Sequence, residues 1–166
     1  MTVRGGASCR KSAKVGRLPT AGSLIHAPMT EDHDHESLAE LYLATLVTIE
    51  LGGQWLDART AARQLGPFHV ITAWNPGHER PGDDANAAAN AALRAELEAL
   101  GCSPLPALGS DPNSNHAEHS WAVSGLEDST ARALGARYGQ WAVFRITAQE
   151  QTVLGCFGPW SRSRGF

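Results

Sequence analysis

The run Phe68-His69-Val70-Ile71-Thr72-Ala73-Trp74 lies between Gly66-Pro67 and Asn75-Pro76-Gly77 and carries β-forming side chains on both of its faces. A strand that is apolar on both faces belongs inside a sheet covered on both sides, because a sheet with one wet face shows strict alternation. The rest of the chain must therefore supply neighbouring strands and two layers of cover. With 166 residues, 42% of them hydrophobic, there is enough material for one domain with a real core.

The cover is legible as helices. Ser37 followed by Glu40 reads as a capping box opening a short helix to about Leu43. Pro76, Gly77, Pro81 and Gly82 keep 75 to 82 irregular; Asp83 or Asp84 then caps a helix that runs to about Leu100 and stops at Gly101. A third helix reads from about Glu127 to Tyr138, ended by Gly139. The segment RTAARQLGP is ambiguous.

Strands fill the remainder. Gly52-Gly53 fits a two-residue turn that sets Ile49 against Leu56 and Val47 against Ala58, with Glu50, Thr48, Trp55 and Asp57 on the other face. SPLPALG is extended, and SDPNSN is a turn cluster. In AEHSWAVSG, His119, Trp121 and Val123 share one face, while Glu118, Ser120, Ala122 and Ser124 share the other. Strands at Trp141 to Thr147 and Gln151 to Cys156 follow, and 157–166 reads as an irregular tail. The order predicts an α+β single domain over 29–156. Its mixed sheet has about five to seven strands, two main covering helices and a short N-terminal helix.

Charge divides the chain. Residues 1–28 hold five basic residues and no acid, whereas 29–166 hold nine arginines against all seventeen acids, a net of minus eight. The first segment has the composition of a disordered basic leader, and Met29 offers an alternative start. Phosphate backbones are repelled by the acidic body, which disfavours nucleic acid as a partner. No apolar run reaches the roughly 20 residues of a membrane span. Cys9, Cys102 and Cys156 are widely spaced without a CxxC pair, which gives a thiolate zinc site no support and fits the cytoplasm.

The most informative polar residues are amides. At about 100° per residue, positions 86, 90, 93, 97 and 100 form one stripe, so Asn86 and Asn90 continue a leucine face. Buried amides need partners, since an unpaired polar group costs about 1–3 kcal/mol. With Asn75 and Gln140, and with Glu118 and Ser120 nearby, they form a set able to bind a polar small molecule. The competing reading is that they tie the 75–90 loop to the sheet. If there is catalysis, Glu118 is the general base, because amides cannot take a proton.

Other constellations are weaker. His116-Ala117-Glu118 imitates the H-x-E of zinc deaminases but lacks the P-C-x-x-C that completes their site, and on a strand His119 points away from both. The run Glu31 to Glu36 has metal-ligand residue types and reads as a solvated charged segment. No G-x-G-x-x-G or P-loop pattern occurs, so neither cofactor nor metal is expected. Trp55 is the indole expected to be exposed, which leaves a non-catalytic protein-interaction module as the alternative function.

The motif ITAWNP, the pair Asn86 and Asn90, Glu118 with Ser120, and Gly139-Gln140 resemble, in order and spacing, a bacterial family known as domain of unknown function 3293 (DUF3293). The resemblance covers roughly 38 to 154 and leaves 1–28 outside. It implies a shared fold and a shared set of positions, and it brings no activity with it.

Overall fold

The computed structural model describes residues 35–77 and 79–166. The expected leader 1–28, the Met29 start and the charged run from Glu31 to Asp34 lie outside the described residues.

Among the described residues four helices and eight strands follow one another. They are α1 (His35–Leu43), β1 (Leu46–Leu51), β2 (Gln54–Asp57), α2 (Ala58–Leu65), β3 (Phe68–Ile71), α3 (Asp83–Ala99), β4 (Leu105–Ser110), β5 (Ala117–Ser124), α4 (Asp128–Arg137), β6 (Ala142–Ile146), β7 (Glu150–Gly155) and β8 (Ser161–Gly165). The strands make one sheet in the order β2-β1-β4-β5-β3-β6-β7-β8.

β3 is an interior strand, hydrogen-bonded to β5 and β6, and all four of its residues are buried. Phe68 and Val70 join one core with α1 and α2; Ile71 joins a second core, on the other face, with α3 and α4. The doubly apolar run is thus covered on both sides.

The α+β class holds, but every strand pair is antiparallel rather than mixed. Helical crossovers suggested parallel neighbours. Here α4 connects β5 to β6, which are parallel to each other but separated by β3. The strand count also exceeds the expected five to seven, because the tail is β8 and not irregular. All five β8 residues are exposed, so no hydrophobic alternation marked the strand; it is held by backbone pairing to β7. Arg132 of α4 fixes the turn before it by donating to the carbonyls of Gly155, Gly158 and Trp160.

Local signals account for most boundaries. Gly52 and Gly53 both have positive φ (+62° and +80°), as the tight hairpin turn requires, and Ile49 faces Leu56. Pairing stops at Thr48 and Asp57, because Ala58 starts α2 instead of facing Val47. Asp57 caps α2 by accepting from the Thr60 N–H at 2.9 Å, which resolves RTAARQLGP as a helix. Ser37 lies inside the first turn of α1 and not ahead of it. Likewise Gly82 occupies the cap position of α3, so Asp83 and Asp84 sit in the first turn, where their charge complements the helix dipole.

One part-buried hydrogen bond ties the interior strand to α4. His69, 5% exposed, hydrogen-bonds Asp128 at 2.9 Å, and Arg145 of β6 holds the other oxygen of that carboxylate at 2.8 Å. Burial lowers the His69 imidazole below its ordinary value of 6.5, opposed by Asp128 and reinforced by Arg145. A base with a depressed folded pKa gives stability that is present above the unfolded value and lost as pH falls through the folded one. The melting temperature should therefore drop as pH falls from about 7.5 to about 5.5, with a shallower slope in His69→Gln. Parallel curves for the two proteins would remove His69 as the titrating group.

Candidate functional site

β3 ends at Ile71 and the chain then bends at Trp74 and Asn75, and side chains complete the hydrogen bonds of this segment. The Ala73 N–H donates to Asn90 Oδ1 at 3.3 Å and the Asn75 N–H to Asn86 Oδ1 at 2.9 Å. The Trp74 N–H donates to Thr72 Oγ1 at 2.9 Å, and the Trp74 carbonyl accepts from Gln140 Nε2 at 2.9 Å. Amides one turn apart on the buried face of α3 thus hold the N–H groups of Ala73 and Asn75 on either side of the bend.

This explains the amides on the leucine stripe. Asn86, 2% exposed, also donates from Nδ2 to Asn75 Oδ1 at 3.0 Å and to the Pro81 carbonyl at 3.2 Å. Asn75 has φ of +49°, the left-handed region that asparagine tolerates better than most side chains. Gly77 follows with φ of +56°, and its N–H donates to the Gly139 carbonyl at 2.9 Å, tying the loop to the turn after α4.

With its oxygen held by Asn86, the Asn75 amide turns its Nδ2 to Glu118 Oε1 at 3.0 Å. His116 Nε2 reaches the same oxygen at 3.1 Å. The Glu118 side chain is 27% exposed and that of His116 about half exposed. Ser120, buried on the same face of β5, donates to the Glu118 carbonyl at 3.3 Å.

These groups stand at the polar end of a cavity of about 380 Å³ between α1 and the sheet. Leu38, Leu41 and Tyr42 of α1 face Val70, Ala142 and Phe144 of the sheet across it. The Tyr42 and Phe144 rings are 5.9 Å apart. Burial raises the Tyr42 hydroxyl above its ordinary value, the Glu118 charge adds to this, and the phenol stays a donor. Arg80 and Asp111 sit at the rim. Asp111 accepts from the Asn113 N–H and the Ser114 hydroxyl, which holds its carboxyl below the usual range and fixes the turn before His116.

Of the residues expected at a site, Glu118, Asn75, Ser120 and Gln140 line this cavity, whereas Asn86 and Asn90 lie behind it and hold the loop. His119 is on the opposite face, packed against Trp74 with ring centroids 5.0 Å apart, and so shares no site with His116 and Glu118. Sequence reasoning did not select Tyr42, Thr72, His116 or Arg80 as lining residues. Thr72 had a signal, since alternation along 68–72 sets it on the Val70 face; Tyr42 had none, because its place depends on how α1 crosses the sheet.

Removing the Asn86 amide leaves the Asn75 N–H and Oδ1 without partners. Asn86→Ala should therefore destabilise the fold by about 2 kcal/mol, measured by denaturant unfolding, whereas Ser120→Ala should cost less than about 1 kcal/mol. Equal losses would mean that the loop does not depend on Asn86.

No curated protein and no solved structure matches the chain. One family does: its model, described as "Protein of unknown function (DUF3293)", matches residues 71–143, the stretch from the end of β3 through Asn75, Asn86, Asn90, Glu118 and Gln140 to the start of β6. The resemblance read from the sequence is borne out over that stretch, where residues 71–143 match the DUF3293 family model.

Proposed function

We propose that the cavity beneath α1 is a binding site for a polar small molecule, with Glu118 its principal acceptor and Asn75, Ser120 and Gln140 around it. One observation carries this reading. Asn86 fixes both the backbone and the side chain of Asn75, and Asn75 in turn aims an amide at a carboxylate inside a cavity. A volume of about 380 Å³ falls within the range of small-molecule sites.

Where the bound molecule is transformed, Glu118 is the general base and the reaction is hydrolysis or group transfer. His116, bonded to the same oxygen and half exposed, is suited to exchange the proton with solvent. A bacterial, cytoplasmic setting belongs to the same proposal; the family resemblance supports the first.

Asn86 and Asn90 enter this reading as positioning residues. Titration of the full chain with amines, alcohols, amides and sugars, followed by amide NMR spectra, should shift the signals of Asn75, Glu118, Ser120 and Gln140. Glu118→Ala should weaken that response at least about tenfold, or 1.4 kcal/mol. A panel that leaves all four signals unmoved overturns the reading.

A second reading, a non-catalytic interaction module, has one observation in its favour: Trp55 is 51% exposed on β2, the outermost strand of the sheet. Outer strands offer unpaired backbone to a partner, and a large exposed indole gives it an anchor. On this reading Trp55→Ala abolishes capture of a protein partner by the full chain while Glu118→Ala does not. Undiminished capture by Trp55→Ala sinks it.

A further inference from the structure

The cavity has a definite electrostatic character. Glu118 is the carboxylate at its polar end, about three-quarters buried, and the described donors to it are an amide and an imidazole, both reaching Oε1. Among the described residues no arginine or lysine forms an ion pair with it. The lining arginine, Arg80, is exposed at the rim, where its Nη1 donates to the Glu79 carbonyl, and Asp111 adds a second negative charge there.

A half-buried carboxylate without a fixed counter-ion attracts a cation strongly, because partial burial lowers the local dielectric. It repels an anion for the same reason. The remaining walls favour an apolar body: Leu38, Leu41, Val70 and Ala142 are aliphatic, and the Tyr42 and Phe144 rings, packed against each other, add aromatic surface beside them.

We infer that the cavity beneath α1 takes a small organic cation, an ammonium or amidinium group carried on an apolar or aromatic body. This deepens, and rests on, the reading of the cavity as a binding site. The cationic head pairs with Glu118, whose Oε2 is the oxygen left for it, while the body lies against Leu38, Tyr42 and Phe144.

Three probes of nearly equal shape separate charge from shape: benzylamine, benzyl alcohol and benzoate. Each is titrated into the full chain to about 10 mM, since fragments of this size bind in the millimolar range. Amide NMR reports which residues respond. The expected result is that benzylamine shifts the Tyr42, Glu118 and Phe144 signals at least about tenfold more tightly than the other two. In Glu118→Gln, which keeps the side chain's shape, the preference for benzylamine should disappear. Equal or tighter binding of benzyl alcohol or benzoate at the same residues overturns the cation assignment and leaves the binding site standing. If none of the three moves those signals in the unmodified chain, the cation assignment is overturned together with the site. A Glu118→Gln protein that folds and still prefers benzylamine also overturns the assignment.

Discussion

The architecture around the cavity depends on a segment that leaves its sheet and bends before its hydrogen bonds are complete. Ala73, Trp74 and Asn75 follow the last paired residue of β3, and backbone there is costly to bury unless partners are found. Asn90, Thr72, Asn86 and Gln140 supply them, from α3, from the segment itself and from the turn between α4 and β6. Asn86 and Asn90 can both reach the segment because, one turn apart, they share a face of α3. Replacing either with leucine would complete the apolar stripe of α3 and orphan the segment beside it.

From that constraint follows a connection across the sheet. α3 lies on the Ile71 face, with Leu93 and Leu97 in its core, and the cavity opens on the Val70 face. Asn75 joins the two, since its backbone and oxygen are held by Asn86 from one side while its amide nitrogen reaches Glu118 on the other. The positive φ at Asn75 and the Gly77 bond to the Gly139 carbonyl complete the turn that brings it there. A strained residue next to a cavity is a pattern functional sites share, and here the strain has a visible structural cause.

Much of this was legible in the sequence and some was not. The interior strand, the Gly52-Gly53 hairpin, the α3 stripe and the two faces of β5 follow from local chemistry and periodicity, and the order of motifs pointed to the family. The buried amides could be recognised as needing partners, but not which of them face a cavity, because that depends on the path of 73–77 in three dimensions. α2 was obscured by a short run whose capping residue, Asp57, also ends a strand. β8 carries serine, arginine and glycine with no buried face, so nothing but pairing to β7 defines it. Tyr42 enters the cavity through a tertiary crossing that no spacing rule contains, whereas alternation into β5 already set His116 on the Glu118 face.

The choice between a structural knot and a site turns on charge. As a tie for the loop, position 118 needs only an oxygen that accepts from Asn75 and His116, and a glutamine offers that oxygen at the same reach. Glutamate adds a negative charge held largely out of water, and desolvating a charge is unfavourable where no opposite charge compensates it. Asn86, Asn90 and Gln140 are neutral and are accounted for by the backbone groups they satisfy. The charge of Glu118 is not accounted for in that way. Something outside the described chain, a cationic group or a transferable proton, is what a carboxylate in that cavity is suited to meet.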